Sequence, residues 1–194
     1  MKTLKNEWIY FWTSLMFFTR IPFPFKLPYS DEIMNKSKKY YAWVGLIVGL
    51  FNDIIYTTSS YLFSDTIGLI LMMCSSVLLT GAFHEDGFTD VCDSFGGGYG
   101  KEKIMTIMKD SRIVAKSLPY KDLLIGIIGF LVPLLLYPEL KFLALIPIAY
   151  LSKIYLCWYF KKHIGGYTGD CLGTIQQVSE VVIYLGAIII WKFI

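Results

Sequence analysis

Two stretches of this chain are apolar and uncharged for long enough to lie within a lipid bilayer. Residues 66 to 84 contain no Asp, Glu, Lys or Arg, and residues 123 to 138 share that property. A helix needs about 20 apolar residues to cross the hydrocarbon core, so the first stretch is long enough and the second is rather short. The mean hydropathy of +0.54 extends this character to the whole chain. The sequence therefore predicts an integral membrane protein.

Four further segments are candidates for membrane helices. They are residues 41 to 63, 142 to 160, 181 to 194, and 8 to 25. The last of these could span, lie in the interface or re-enter, because Arg20, Pro22 and Pro24 interrupt its far end. We therefore predict an all-α fold, a polytopic membrane helical bundle with five or six membrane segments. No Pro- or Ser-rich linker and no repeat divides the sequence, so residues 1 to 194 are predicted to form a single domain.

Basic residues predict the orientation of this bundle. Of 18 Lys and Arg residues, 12 fall within residues 26 to 39, 101 to 121 and 161 to 162, which the predicted hairpins place on one side. Loops rich in Lys and Arg stay in the cytoplasm, so this side is predicted to be cytoplasmic. Topology and anionic lipid also explain the net charge of +3, and no nucleic-acid partner is expected.

Four acids and a histidine follow the first uncharged stretch directly, on the predicted cytoplasmic side. If the segment is helical, Asp86, Asp90 and Asp93 stand at i, i+4 and i+7 and project within about 60° of each other. Carboxylates this close repel one another unless a cation lies between them. Such hard oxygen donors suit Mg²⁺, with Mn²⁺ as an alternative, and substrate phosphate usually completes the coordination. A metal-assisted phosphoryl-group reaction is the leading hypothesis, and a solvated acidic face is the alternative.

Glycines and basic residues follow these acids. Gly96, Gly97 and Gly98 leave backbone N–H groups accessible to an anion, although a glycine triplet alone also fits a flexible loop. Further along, Lys109 and Arg112 are candidates for contacts with phosphate oxygens, with ordinary surface residues as the alternative. Together with the carboxylates, this composition favours a phosphate site.

A second polar element covers residues 165 to 180 on the same predicted side. Its first two glycines are explained by a helix C-cap after a basic turn. That explanation leaves the other polar and glycine positions without a role, namely Asp170, Gly173, Gln177 and Glu180. Because both elements are predicted on one face, we expect them to share one site.

Both elements, together with FFTRIPFP at residues 17 to 24 and IMKDSRI at residues 107 to 113, resemble the cobalamin synthase family. Its members, the adenosylcobinamide-GDP ribazoletransferases, are membrane enzymes that use Mg²⁺. They join GDP-activated adenosylcobinamide to α-ribazole or its 5′-phosphate and release GMP. The resemblance implies a transferase domain over residues 1 to 194, surrounded by lipid in the cytoplasmic (inner) membrane. It leaves a homo-oligomer or corrinoid-pathway partners open.

The resemblance also implies roles for the residues of both elements. Metal held by Asp86, Asp90 and Asp93 would neutralise the diphosphate, and Asp170 would bind a second metal or the nucleotide. His84, or else Glu85, would accept the proton of the attacking hydroxyl, with a structural histidine as the alternative. The remaining predicted contacts to the phosphates, nucleotide and acceptor are Gly96, Gly97, Gly98, Lys109, Arg112, Gly169, Gln177 and Glu180.

One departure from the family lies after Ile113. Relatives have further hydrophobic sequence there, whereas this chain runs directly into VAKSLPYKDLL. The gap corresponds to about two membrane helices, an even number that preserves the sidedness of the second element. Two alternatives to an active transferase stay open. One is a catalytically impaired, shortened relative, and the other is a divalent-cation transporter.

Overall fold

The computed structural model describes residues 2–108, 118–136 and 139–193, and all regular structure within them is helical. Short 3₁₀ turns, Lys38–Tyr40 and Leu140–Ala144, precede the third and eighth helices. The α-helices are α1 (Lys2–Phe18), α2 (Asp31–Ser37), α3 (Tyr41–Leu62), α4 (Asp65–Thr80), α5 (Phe83–Gly97), α6 (Lys101–Met108), α7 (Tyr120–Leu136), α8 (Leu145–Ile164) and α9 (Gly169–Phe193). The predicted all-α class is confirmed.

Two or three helical segments of the described chain are long and apolar enough to cross a membrane. Among the described residues, Asp31–Leu62 and Gly169–Phe193 are long and apolar enough, and Asp65–Thr80 with Phe83–Gly97 would add a third if they form one bent span. Helices α4 and α7 have 16 and 17 residues. At about 1.5 Å per residue each is shorter than the hydrocarbon core of about 30 Å. By length and composition the described residues thus contain two or three candidate spans, and the total of five or six membrane segments stays a prediction.

The last helix begins earlier than the sequence suggested. A span was predicted at residues 181 to 194, but α9 starts at Gly169 and includes most of the second polar element. The first polar element is helical as well, because α5 covers Phe83–Gly97. Both sets of candidate residues therefore lie mainly on helices, where spacing along the sequence determines which side chains share a face.

Contacts divide the described chain into two compact units. The first contains α1, α2, α3, α4 and α7, and the second contains α5, α6, α8 and α9. The prediction that residues 1 to 194 form one domain stays a prediction.

A buried lysine joins three segments of the first unit. Lys39 is 3% exposed, and its Nζ atom lies 2.8 Å from Glu7 Oε2 of α1 and 3.0 Å from Asp122 Oδ1 of α7. Tyr40 Oη also donates a hydrogen bond to Glu7 Oε2 at 2.7 Å. Burial of a charge is tolerated when it is paired and hydrogen-bonded, as Lys39 is here. This cluster fixes α1 and α7 against the start of α3.

Close contacts continue along α3 on both sides. Trp43 Nε1 donates to the Ile125 carbonyl of α7 at 3.0 Å, and a Cβ on Gly129 would fall 2.8 Å from the Trp43 ring. Towards α4, a Cβ on Gly68 would lie 3.0 Å from the Ser60 backbone nitrogen. Small residues let helix backbones approach where the surrounding lipid gives no hydrophobic drive for association.

The second unit has an apolar core to which all four of its helices contribute. The core residues are Val91 of α5, Ile104 and Met108 of α6, Phe160 and Ile164 of α8, and Cys171 of α9. Helix α8 ends at Gly165, whose φ of 75° gives the left-handed C-cap expected after a basic last turn. This core holds α5 and α9 in place.

We expect Lys39→Met to lower the free energy of unfolding by about 3 kcal/mol, because it leaves two carboxylates without their cation. Thermal unfolding of the purified protein in detergent, followed by tryptophan fluorescence, measures the effect. Lys36→Met is the control, since the Lys36 side chain is 44% exposed, forms its ion pair with Glu32 on its own helix and reaches another helix through a cation–π contact with Tyr10 of α1. Equal midpoints for the two variants would contradict the structural role of Lys39.

Candidate active site

Helices α5 and α9 cross at two glycines, one from each predicted polar element. A Cβ on Gly87 of α5 would lie 3.0 Å from the Asp170 Cα of α9, and a Cβ on Gly173 would lie 3.1 Å from the His84 carbonyl oxygen. Both distances are shorter than nine in ten real Cβ contacts, so a side chain at either position would force the two backbones apart by a few tenths of an ångström. The crossing brings the backbone of the first element into contact with the backbone of the second, as expected for a shared site.

Hydroxyl groups fix the start of α9 at this crossing. Thr168 caps the helix, because its fully buried Oγ1 accepts the Cys171 backbone N–H at 3.3 Å. One turn later, Thr174 Oγ1 donates to the Asp170 carbonyl at 2.9 Å and lies 3.4 Å from the Gly87 carbonyl of α5. The backbone around Gly169 and Asp170 is therefore fixed by the Thr168 hydroxyl before it and the Thr174 hydroxyl after it.

The start of α5 carries backbone strain. Ala82 precedes the helix with φ 59°, the left-handed region that non-glycine residues rarely adopt. This conformation costs about 1–2 kcal/mol, and the surrounding packing has to offset it. The Ala82 carbonyl accepts the Asp86 N–H at 2.8 Å, which closes the first turn. The strain therefore sits directly beside the predicted catalytic residues.

The three aspartates form an exposed stripe beside the buried seam of α5. Gly87, Val91 and Ser94 are buried and face the packed side of the helix. Each aspartate precedes one of these residues, so the stripe is turned from the seam by about 100°. Asp86, Asp90 and Asp93 are exposed. The predicted common face is thus present, and it borders the crossing.

The donor set suits Mg²⁺ although the carboxylates do not converge. Among the described residues, no group of three or more His, Cys, Asp or Glu side chains lies close enough to hold a metal ion. Mg²⁺ commonly binds through one or two carboxylates and completes its shell with water and substrate phosphate, so a spread stripe is compatible with it. Glu85 adds a buried oxygen, Oε2, that has no hydrogen-bond partner among the described residues. The metal site, including Asp170 as a ligand, stays a prediction.

His84 is half-buried and its charge is affected by two carboxylates. Burial lowers the pKa of His84, while the negative charges of Glu85 and Glu180 act in the opposite direction. A histidine with a lowered pKa is mostly neutral near pH 7 and can accept a proton. The influence of Glu180 also shows that α9 brings this carboxylate towards His84.

One member of the glycine triplet, Gly98, has a packing role. Gly98 is buried, and a Cβ there would fall 2.8 Å from the Ser94 carbonyl oxygen and 3.1 Å from the Ile104 nitrogen of α6. Gly96 and Gly97 end α5 and are exposed, and a Cβ on Gly96 would meet nothing within 4 Å. Gly98 lets α6 fold back onto α5, and phosphate binding at the triplet stays a prediction. Lys109 and Arg112 lie outside the described residues.

Three polar residues of this region were not predicted from the sequence. Thr168 and Thr174 support the crossing, and Tyr184 Oη donates to Glu180 Oε1 at 2.7 Å. Tyr184 follows Glu180 by four residues, the spacing at which helical side chains meet, and a Thr in a helix can donate to the carbonyl four residues earlier, as Thr174 does to Asp170. That spacing was a usable signal once the element was known to be helical.

Comparison with known proteins gives the family. The model of the cobalamin-5-phosphate synthase family matches residues 10–115 and 112–188. The chain belongs to this family. A Leptospira interrogans protein named adenosylcobinamide-GDP ribazoletransferase is 34% identical, with all of both chains covered. A Vibrio vulnificus protein of that name is 34% identical over 95% of this chain and 97% of its own, and one from Shewanella amazonensis is 29% identical over 99% of each. No solved structure matches.

The family comparison also locates the missing segment. The match to the Shewanella relative runs over 258 positions while this chain has 194 residues, so at least 64 residues of that relative have no counterpart here. The two parts of the family match meet at residues 112 to 115. This agrees with the internal deletion predicted after Ile113. A length of 64 residues is enough for about two membrane helices with their loops.

Replacement of Gly87 by Ala should separate α5 from α9, because the added Cβ meets backbone atoms that cannot rotate away. We expect a loss of about 1–3 kcal/mol in unfolding free energy, typical of overpacking. Gly49→Ala is the matched control, since that helical glycine has nothing within 4 Å. Thermal unfolding of both variants in detergent measures the difference. A Gly87→Ala protein as stable as the Gly49→Ala protein would contradict the tight crossing.

Proposed function

We propose that this chain transfers the phospho-cobinamide group of adenosylcobinamide-GDP to α-ribazole or its 5′-phosphate and releases GMP. One observation carries the proposal: in a member of the cobalamin synthase family, the α5–α9 crossing joins the acid-rich element to the element that contains Asp170 and Glu180. The names of the relatives that match over nearly their whole length support the same activity.

The proposed reaction is a displacement at phosphorus. A ribose hydroxyl of the acceptor attacks the phosphate attached to cobinamide, a new P–O bond forms, and the bond to the GMP oxygen breaks. His84 accepts the proton of the attacking hydroxyl, and Glu85, the next residue, is the alternative base. Most of the catalytic work in such a transfer is positioning and charge stabilisation, which requires a fixed backbone. The two-glycine crossing supports that requirement.

The proposed metal is Mg²⁺, with Mn²⁺ as an alternative. Asp86, Asp90 and Asp93 would hold it on the exposed stripe, with Asp170 across the crossing as a further ligand. When bound, it supplies positive charge to the diphosphate and to the departing GMP. Lys109 and Arg112 are proposed as additional phosphate contacts.

Replacement of Asp90 by Asn should lower the rate of GMP release at least about 100-fold at limiting Mg²⁺, because a ligand loses its charge while its shape is kept. The assay contains the purified chain, adenosylcobinamide-GDP, α-ribazole and Mg²⁺. Binding of Mn²⁺ to the protein, followed by electron paramagnetic resonance, gives a second readout and should weaken in parallel.

Asp31→Asn is the control, because Asp31 begins α2 in the first unit and lies outside the proposed site. It should bind Mn²⁺ as the unchanged chain does. Undiminished GMP release by the Asp90→Asn protein at low Mg²⁺ would contradict the proposal that Asp90 is a metal ligand. Uptake of Mn²⁺ into proteoliposomes without GMP release would favour a transporter instead.

We further propose that the protein lies in the cytoplasmic (inner) membrane with the aspartate stripe facing the cytoplasm. The helices able to span a membrane and the basic segments beside the two polar elements support this orientation. Nucleotide-bearing substrates are available on that side.

Cys92 is a native reporter of this orientation, because it is exposed on α5. In a variant with Ala at Cys74, Cys157 and Cys171, an impermeant maleimide should label Cys92 only after the cells are permeabilised. Tyr61→Cys in a background without other cysteines is the control, since Tyr61 is 90% exposed near the turn between α3 and α4 and should label in intact cells. Labelling of Cys92 from outside would reverse the proposed orientation.

A further inference from the structure

Glu180 lies near the middle of α9, one of the helices long and apolar enough to cross a membrane. A carboxylate at such a depth is costly unless polar partners surround it, and acids in spans usually mark functional sites. Tyr184 Oη donates a hydrogen bond to the Glu180 Oε1 atom at 2.7 Å, and the negative charge of Glu180 also acts on His84. Among the described residues no group donates a hydrogen bond to the second oxygen, Oε2.

The position of Glu180 on α9 points it to the candidate site. Gly173, Gln177, Glu180 and Tyr184 are spaced at i, i+4, i+7 and i+11, which places them within about 60° on one face. Gly173 packs against the backbone of His84, so this face is the one turned to the start of α5. Glu180 is about 10 Å further along the axis of α9 than Gly173.

This arrangement separates two kinds of substrate group along the helix axis. The aspartates beside the crossing suit a charged diphosphate, whereas the face from Gln177 to Tyr184 continues into the apolar part of α9. Transfer of a nucleoside with an uncharged aromatic base from water into such a layer costs less free energy than transfer of a phosphate. Its ribose hydroxyls would need acceptors there, and a carboxylate oxygen is a strong one.

We propose that Tyr184 is a positioning residue for the acceptor: it holds the Glu180 carboxylate so that Oε2 accepts hydrogen bonds from the ribose hydroxyls of the acceptor nucleoside. The proposal rests on the proposed function, since α-ribazole is the acceptor there. Tyr184 acts through Glu180, and the tyrosine itself makes no contact with the reacting atoms.

Equilibrium binding to the purified full chain tests this without the need for turnover. Tyr184→Phe keeps the ring and removes the hydroxyl, so the Kd for α-ribazole should rise about tenfold. The free base of α-ribazole, which has no ribose hydroxyls, should bind both proteins equally. Tyr155→Phe is the matched control, because Tyr155 is an exposed tyrosine of α8 in the same unit. Its Kd for α-ribazole should equal that of the unchanged chain.

A double-mutant cycle distinguishes positioning from a general loss of structure. Glu180→Gln should weaken α-ribazole binding, and Tyr184→Phe should then cost little more, because its effect passes through the carboxylate. The inference would be overturned if the two substitutions raised the Kd for α-ribazole by independent factors that multiply in the double variant. It would also be overturned if the Tyr184→Phe protein bound α-ribazole as tightly as the unchanged protein. Failure of the unchanged chain to bind α-ribazole would overturn the proposed acceptor as well. A thermal midpoint for each variant confirms that folded proteins are compared.

Discussion

The close approach of α5 to α9 is the contact on which the candidate site depends. At Gly87 and Gly173 the two helices touch through backbone atoms, so the spacing between them is set by main chain. Side chains can change rotamer when a substrate binds, whereas such a backbone contact cannot adjust without separating the helices. Phosphoryl transfer gains most from fixed positions of charge and nucleophile. The strained Ala82 and the cap at Thr168 lie at the ends of this contact and hold its two helix starts.

Part of the geometry of the candidate site could be predicted from the sequence because it follows from local spacing. The i, i+4 and i+7 spacing of the aspartates places them on one face of α5, and the two polar elements were expected to lie together, as the α5–α9 contact shows for their backbones. The close approach at Gly87 and Gly173 could not be predicted from the sequence, because it is steric and depends on which helix lies opposite. The sequence predicted the last span from residue 181, whereas α9 begins 12 residues earlier, at Gly169. Glycines and polar side chains are typical of loops, and the contacts that make this segment helical, the Thr168 cap and the Thr174 contact with α5, depend on the fold. Lys39 was missed because its partners, Glu7 and Asp122, are distant in sequence.

The internal gap makes this chain shorter than the relatives that it matches in the cobalamin synthase family. The residues lost from between the two parts of the family match belong to neither polar element, and all the carboxylates of both elements are still present. Helix α7, which follows the gap, is bound to the rest of the first unit by the ion pair between Lys39 and Asp122 and by the hydrogen bond from Trp43 to the Ile125 carbonyl. Contacts remote from the reacting atoms contribute to the rate by positioning a large substrate. The lost segment should therefore affect how well the corrinoid is held more than whether the phosphoryl centre assembles.

Product analysis of a single turnover tests this account most directly. The purified chain in lipid vesicles is mixed in excess with adenosylcobinamide-GDP, α-ribazole and Mg²⁺, and GMP and cobalamin are both quantified over time, with the full-length Leptospira interrogans relative in parallel. The account predicts that both products appear in equal amounts and only when all three components are present, more slowly than with the longer relative. Donor binding with no GMP release on any accessible timescale would contradict it and would identify the chain as a catalytically inactive member of the family.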